Sequence, residues 1–376
     1  LERLVVVERT GSTNDDLRLA LTGADGRLDP CAAATWPHIS ALWAQYQDAG
    51  RGRAGRHWIT PPGSALTVSF VLRPLVPAAA LAWLPLLAGL AVRDVVDAIL
   101  IAARAPWRAR TKWPNDVVLV PNERAGEGIA TGAGASVRAG TGGRAGAAVA
   151  PDPAEIPGWG RARKVAGVLA ELIPAAGGIG ARTLAGGAST ANAPAAGATG
   201  IAGVPATDAT GAGGGPGTAG TPNAPGAVNA DRGAACAVVL GIGVNTGQSA
   251  SELPVPWAAS LAGLGVDSEL TVARGVLEDL GRHLAELVAS WEDRDGDPDG
   301  GDGEPGRCLR GACSTLGQDV VVTTPTGLVR GRAIDVRPGL VLRDAVGGPA
   351  GEGGVGELVI SAGDVASARL GTPTGT

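Results

Sequence analysis

Residues 47–63 read QDAGRGRAGRHWITPPG, with Arg51, Arg53 and Arg56 set among Gly50, Gly52 and Gly55. Glycine lets the backbone approach a ligand closely and adopt positive φ. Arginine carries a fork of donors matched to carboxylate and phosphate. A loop of this composition is suited to closing over an anion. The three glycines also satisfy G-x-G-x-x-G, the dinucleotide-binding fingerprint. That fingerprint requires a strand before it and a helix after it. Here Pro61, Pro62 and Gly63 follow, and then SALTVSFVLRP, an apolar run rich in strand formers. Two adjacent prolines and a β run do not open a Rossmann helix. G-x-x-x-x-G-K-[ST] is absent too, which excludes a P-loop.

Working outward from the loop, LVVVE (Leu4–Glu8) reads as a buried strand. Ser12, Thr13 or Asn14 can cap a helix that begins with Asp15 and Asp16. ALWAQYQ is a second strand leading into the loop, and Leu66–Leu72 is a third. The spacing predicts a helix over 78–103, with Pro85 at its true start and Leu86, Leu87, Leu90, Val92, Val95, Val96 and Ile99 on its apolar side. Two short strands flank Pro114 between Arg108 and Leu119. Lys164–Ile173 and Cys236–Val244 are further β runs, and Leu270–Trp291 is an amphipathic helix. An acidic linker follows, EDRDGDPDGGDGEPG. From Thr315 the pattern becomes short β runs separated by glycine, expected as a small all-β, SH3-like barrel.

Two stretches break this order. Residues 121–163 and 174–233 are largely Gly, Ala, Thr and Pro without hydrophobic period, and are expected as disordered insertions between core strands. The expected organisation is therefore a catalytic unit over 1–295, a linker over 296–314 and the β domain over 315–370. Of 376 residues, 61 are glycine and 27 proline, so the folded mass is smaller than the length suggests.

A formal net charge of −5 argues against nucleic acid as a partner of the whole surface. Only Cys308 and Cys313 lie close together among the four cysteines, which argues against a zinc site and suits a reducing, cytoplasmic setting. No secretory leader and no run of 18 uncharged apolar residues is seen, so no membrane association is expected. The chain contains no methionine, position 1 included, which leaves its N-terminal boundary open.

Four further motifs carry chemistry. GSTN (Gly11–Asn14) brings two hydroxyls and an amide to a helix start. TKWPNDVVL (Thr111–Leu119) sets Lys112, Asn115 and Asp116 around a proline bend, where Asn and Asp could equally serve a turn or a nucleotide with its Mg²⁺. KVAGVLAEL (Lys164–Leu172) opens an apolar strand with a lysine, unusual without an anionic partner. GIGVNT (Gly241–Thr246) ends a strand in small residues and an amide, suited to a ligand lying against the backbone.

In their order, GSTN, QDAGRGRAGRHW, KWPND, KVAGVLAEL and GIGVN, these motifs closely resemble those of biotin protein ligases. The resemblance spans roughly 1–120, 164–173 and 236–370, and it rests above all on the Gly-Arg-Gly-Arg loop followed by KWPND. It implies a mixed-sheet α/β (α+β) catalytic domain, class II synthetase-like, followed by a small SH3-like β domain. It implies ATP, Mg²⁺ and biotin as reactants and a biotin carboxyl carrier protein as acceptor, with a monomer or weak homodimer as the assembly. Ser12, Thr13, Asn14 and Gln47 match positions that hold biotin's ring and tail. Arg51, Gly52 and Arg53 match the loop that closes over biotin and the adenylate. Trp58 matches the aromatic residue packed on adenine. Lys164 matches the lysine between the biotin carboxylate and the reacting phosphate. Asn115, Asp116 and Asn245 match the nucleotide side, with Asp116 a candidate to orient or deprotonate the acceptor amine. The connection between KWPND and KVAGVLAEL is short in the family and long here. The form expected is the one without a DNA-binding helix-turn-helix. Rival readings are a lipoate or octanoate ligase, against which the arginines of the loop count, and a biotin-sensing binding protein without ligase activity.

Overall fold

The computed structural model describes residues 1–122, 153–175, 236–347 and 356–367. Seven strands form one mixed sheet: β1 (Arg3–Thr10), β2 (Ser40–Gln47), β3 (Ala65–Leu72), β4 (Trp107–Lys112), β5 (Asp116–Pro121), β6 (Arg163–Ile173) and β7 (Ala237–Asn245). Their order is β1-β2-β3-β7-β6-β5-β4, and only β1 and β2 run parallel. Between those two strands the chain forms α1 (Thr13–Leu21) and a single turn, α2 (Ala32–Thr35).

The two faces of the sheet are used differently. Alternate residues Leu66, Val68, Phe70 and Leu72 of β3 and Val238, Leu240, Ile242 and Val244 of β7 point to one side, as a period of two requires. There they pack on α3 (Leu84–Ala102) and α4 (Ala273–Glu292) in the main core. Pro85 sits in the first turn of α3, where its missing N–H costs nothing. On the other face, Leu17 and Leu21 of α1 pack with Leu42, Val71, Ile173 and Val239. That smaller cluster stops short of the C-terminal half of β7, and the space beyond it is where the motifs collect.

β1 is an edge strand, not the buried one expected, and Val6 is 43% exposed. Its apolar run reads like a central strand because periodicity carries no information about neighbours. The stretch 296–314, expected as a linker, contains the helix α5 (Glu304–Ala312). Its Leu309 and Ala312 enter the main core, and Arg310 pairs with Asp299 and Asp335. Acidic residues that look like solvated linker thus serve as partners for arginine. The expected insertions lie mostly outside the described residues, but 153–163 of the first does not: Ile156 and Gly160 bridge a tight turn that presents Trp159.

A second, antiparallel sheet of five strands follows: β8 (Asp319–Thr324), β9 (Gly327–Arg337), β10 (Gly339–Gly347), β11 (Glu357–Ile360) and β12 (Asp364–Ser367), in the order β11-β10-β9-β8-β12. Its core of Val320, Val322, Val329, Ala333, Val336, Leu340 and Leu342 takes in Trp113 from the KWPND turn, with Trp83 and Leu86 packed against it. The Trp113 indole donates to Pro338 O at 3.1 Å and its backbone N–H to Thr315 Oγ1 at 3.1 Å. The tryptophan of that motif is thus a packing residue that fixes the second sheet to the turn after β4. With 3% of its surface exposed, Trp113→Ala leaves a cavity and orphans a carbonyl. Equilibrium urea unfolding should show a loss of about 3–5 kcal/mol, and a loss below about 1 kcal/mol would show that the turn and the second sheet are held by other contacts.

Candidate active site

The floor of the site is built from three adjacent strands whose side chains shrink where they pass beneath it. Cross-strand registers place Ser69, Gly241 and Leu169 in one row and Thr67, Gly243 and Gly167 in the next. Gly241 and Gly243 are required by close approach. A Cβ at Gly241 would overlap the Asn14 amide, and one at Gly243 would overlap the Trp58 indole. GIGVN is therefore a strand stripped of side chains on its ligand face, while Ile242 and Val244 anchor the other face in the core.

Over this floor sits the start of α1. Ser12 caps the helix, its Oγ accepting from Asp15 N at 3.4 Å, which leaves the hydroxyl proton free for the cavity. Thr13 N donates to Gln47 Oε1 at 2.7 Å, tying the helix to the end of β2. Thr13 Oγ1 lies 2.7 Å from Ser69 Oγ, and Ser69 donates to Asn14 Oδ1 at 2.6 Å. Asn14 Nδ2 donates to Glu171 Oε2 at 2.7 Å. All these groups are buried, and a buried polar group needs such partners to offset its lost hydration.

The Gly-Arg loop forms the opposite wall. Arg51 Nη2 reaches Asp15 Oδ1 at 2.6 Å and both oxygens of Glu171 at 3.1 Å. Arg53 Nη1 donates to Asn115 Oδ1 at 3.3 Å, and burial pushes its guanidinium below its ordinary value. Arg56 pairs with Asp364 of β12 at 3.0 Å, so the second sheet holds the outer end of the loop. Trp58 turns inward: its backbone N–H bonds Gly50 O, and its indole covers Gly243 with Lys164 Nζ 5.7 Å from the ring centre. Arg51 Nε and Trp58 Nε1 are buried with no hydrogen-bond partner, two donors that an anionic or polar ligand could use.

The third wall is cationic. Lys164 pairs with Asp116 at 2.6 Å, so the lysine that opens β6 has a carboxylate partner within the protein. Asn115 clamps the turn to β6, donating to Val168 O at 2.7 Å, while Val168 N donates to Asn115 O at 2.9 Å. Lys112 sits beside this pair with Nζ 3.7 Å from the centre of the Trp159 ring, and Trp159 stacks on Trp257 at 5.8 Å. Burial, helped by neighbouring Lys164, lowers the Lys112 amine to about 8 against the pull of Asp116.

Ser12, Thr13, Asn14, Gln47, Arg51, Gly52, Arg53, Trp58, Asn115 and Lys164 all line one cavity. Asp116 stands behind it, facing Lys164. Asn245 lies apart: its amide donates to Ala259 O and its carbonyl accepts from Gln248, holding the loop after β7. Sequence reasoning passed over Glu171, Ser69 and Trp159, and it placed Lys112 in a motif without giving it a role. A lone acid in the apolar strand KVAGVLAEL was the one visible signal for Glu171, whereas nothing in the Gly/Ala-rich surroundings marked Trp159.

Residues 32–181 match the model of the biotin/lipoate A/B protein ligase family. Over 126 residues the chain is 43% identical to the biotin--[acetyl-CoA-carboxylase] ligase of Mycobacterium tuberculosis, covering 33% of this chain and 42% of that protein. Over 121 residues it is 36% identical to the enzyme of the same name from Paracoccus denitrificans, covering 32% and 44%. The matches thus span less than half the length of these curated relatives. In structure, the chain is similar to the biotin protein ligase from Aquifex aeolicus in complex with biotin and ATP, with a TM-score of 0.50 at 18% identity over 98% of this chain and all of that one, a likeness of fold. Residues 32–181 therefore resemble the biotin/lipoate A/B protein ligase family, and the curated relatives that the chain resembles are named biotin--[acetyl-CoA-carboxylase] ligases.

Proposed function

We propose that the protein activates biotin with ATP and transfers it to a lysine of a biotin carboxyl carrier protein. The observation that carries this reading is the polarity of the cavity. One end offers hydroxyls and amides from Ser12, Thr13, Asn14 and Gln47, and the other gathers Arg51, Arg53 and Lys164 over a glycine floor. A neutral cyclic urea fits the first end, and a carboxylate meeting a phosphate fits the second.

In the first step a biotin carboxylate oxygen attacks the α-phosphorus of ATP and the bond to pyrophosphate breaks, leaving biotinyl-AMP. Two anions must be brought together, so the work lies in positioning and in stabilising charge. Arg53 and Lys164 are placed to stabilise that charge, with Lys112 and Arg56 adding to the field. In the second step the acceptor amine, after losing a proton, attacks the acyl carbon and AMP leaves. Asp116, paired with Lys164 at 2.6 Å, would orient that lysine and is the candidate to orient or deprotonate the amine. Trp58 and the loop would shield the anhydride from water. Among the described residues no group of three Asp, Glu, His or Cys side chains could hold a metal. Mg²⁺ that enters with the nucleotide would be held through its phosphates and waters, with one or two carboxylates at most.

The five-stranded sheet would be the SH3-like β domain, beginning near residue 315, with the catalytic domain before it and a monomer or weak homodimer as the assembly. A cytoplasmic location suits a carrier protein as partner. No helix among the described residues is long and apolar enough to cross a membrane. The direct test incubates the protein with ATP, Mg²⁺, labelled biotin and a carrier domain. Label on the carrier lysine supports the reading; transfer of lipoate but not biotin would replace it with the lipoate ligase.

Two outcomes follow from the cationic wall. Lys164→Ala should slow pyrophosphate release at saturating ATP by about 10²-fold or more, with Lys164→Arg restoring part of the rate. Arg53→Ala should speed loss of the bound adenylate while leaving the melting temperature unchanged. Wild-type rates in both alanine variants would remove the electrostatic role. Deprotonation of Lys112 removes a positive charge, so nucleotide affinity should fall as pH rises through about 8. Lys112→Arg, charged throughout that range, should flatten the fall in a titration calorimetry series, and an equally steep fall in that variant would assign the pH dependence elsewhere.

A further inference from the structure

Glu171 is 6% exposed on a strand whose next inward-facing residue, Ile173, belongs to the apolar cluster under α1. Its row is Val71, Val239 and Glu171, the last row before the glycine floor. An apolar residue would cover that cluster at less cost, because a buried carboxylate must be fully paired to be tolerated. Here it is paired twice, by Asn14 from the helix start and by Arg51 from the loop.

We infer that Glu171 is a positioning residue that sets the hydrogen-bond polarity of the ligand cavity and fastens the Gly-Arg loop to it; the inference rests on the biotin-ligase reading above. A carboxylate held by a guanidinium only accepts, so Asn14 must turn Nδ2 toward it and Oδ1 away. Oδ1 then accepts the proton of Ser69 Oγ at 2.6 Å. With its proton spent, Ser69 Oγ can only accept from Thr13 Oγ1, 2.7 Å away. The single Thr13 proton goes to Ser69 Oγ or to Gln47 Oε1, 3.0 Å distant, and neither choice leaves it for the cavity. What Thr13 Oγ1 presents to the cavity is a lone pair, and the ligand group opposite must be an N–H. Ser12, whose oxygen is engaged by Asp15 N, presents a proton and calls for a carbonyl oxygen. A ring carrying an N–H beside a carbonyl meets both. One buried charge thus decides which way three neutral groups, Asn14, Ser69 and Thr13, point. The same carboxylate holds Arg51, so the loop and the headgroup site share one anchor.

The test is Glu171→Gln. An amide at 171 can donate as well as accept, which frees Asn14 to flip, and it removes the charge opposite Arg51. Biotin affinity by calorimetry should weaken about tenfold or more. Trypsin cleavage after Arg51, Arg53 and Arg56, followed by mass spectrometry without ligand, should speed up about fivefold as the loop opens more often. Ser69→Ala breaks the relay beyond Asn14 without touching Arg51. It should weaken biotin binding and leave the cleavage rate at the wild-type value, a split that a general loss of stability would not produce. A folded Glu171→Gln protein with wild-type affinity and cleavage overturns the inference. If that variant does not fold, Ser69→Ala with wild-type biotin affinity overturns it instead. Should the wild-type protein itself not bind biotin, the functional reading fails, and the ligand-free cleavage arm still decides whether Glu171 holds the loop.

Discussion

The seating of Asn14 and Trp58 in the site depends on an absence of side chains beneath them. Because Gly241, Gly243 and Gly167 carry no Cβ, the start of α1 can bring Asn14 down onto β7, and Trp58 can lie flat against two strands. A single methyl at Gly243 would evict the indole, and with it the inner end of the Gly-Arg loop. The floor cannot be thinned on both faces, however. Ile242 and Val244, on the reverse of the same strand, are held in the main core, so the strand stays rigid while its ligand face is bare backbone.

Rigidity below allows charge above. Arg51, Arg53, Lys164 and Lys112 crowd one region and would repel one another in isolation. Each is answered by a specific partner: Asp15 and Glu171, Asn115, Asp116, and the Trp159 ring. An aromatic face attracts a cation through its quadrupole without supplying a formal charge. Burial beside Lys164 lowers the Lys112 amine to about 8. The loop meanwhile is fixed by three arginines, Arg51 to α1 and β6, Arg53 to the turn before β5 and Arg56 to β12, which suits a cover that must close in one geometry.

Much of this was legible in the residues. Ser12 as a cap, Pro85 at a helix start, the strands around Pro114 and the loop itself follow from local rules that hold wherever the chain goes. What was not legible depends on non-local neighbours. LVVVE has the periodicity of a buried strand, yet β1 ends the sheet, because nothing in five residues reports the lack of a second partner. Trp113 reads as part of a nucleotide motif until the second sheet is seen to close around it. The acidic run before α5 looks like solvated linker because its arginine partner lies in the next element. Trp159 sits in a segment whose composition says insertion, and only the neighbouring Lys112 and Trp257 give it a purpose.

Trp113 also bears on how the molecule comes apart. Its backbone continues a strand of the first sheet, and its indole belongs to the core of the second. Cys313 bridges to Thr111 beside it, and Arg56 reaches across to Asp364. A residue that is simultaneously the end of one structure and the centre of another leaves little room for one to melt while the other persists. Heat or denaturant should meet a single cooperative unit, whose steepness of unfolding reflects the surface of both sheets together. Damage far out on the second sheet would then be felt not as a local defect but as a shorter lifetime for the whole protein.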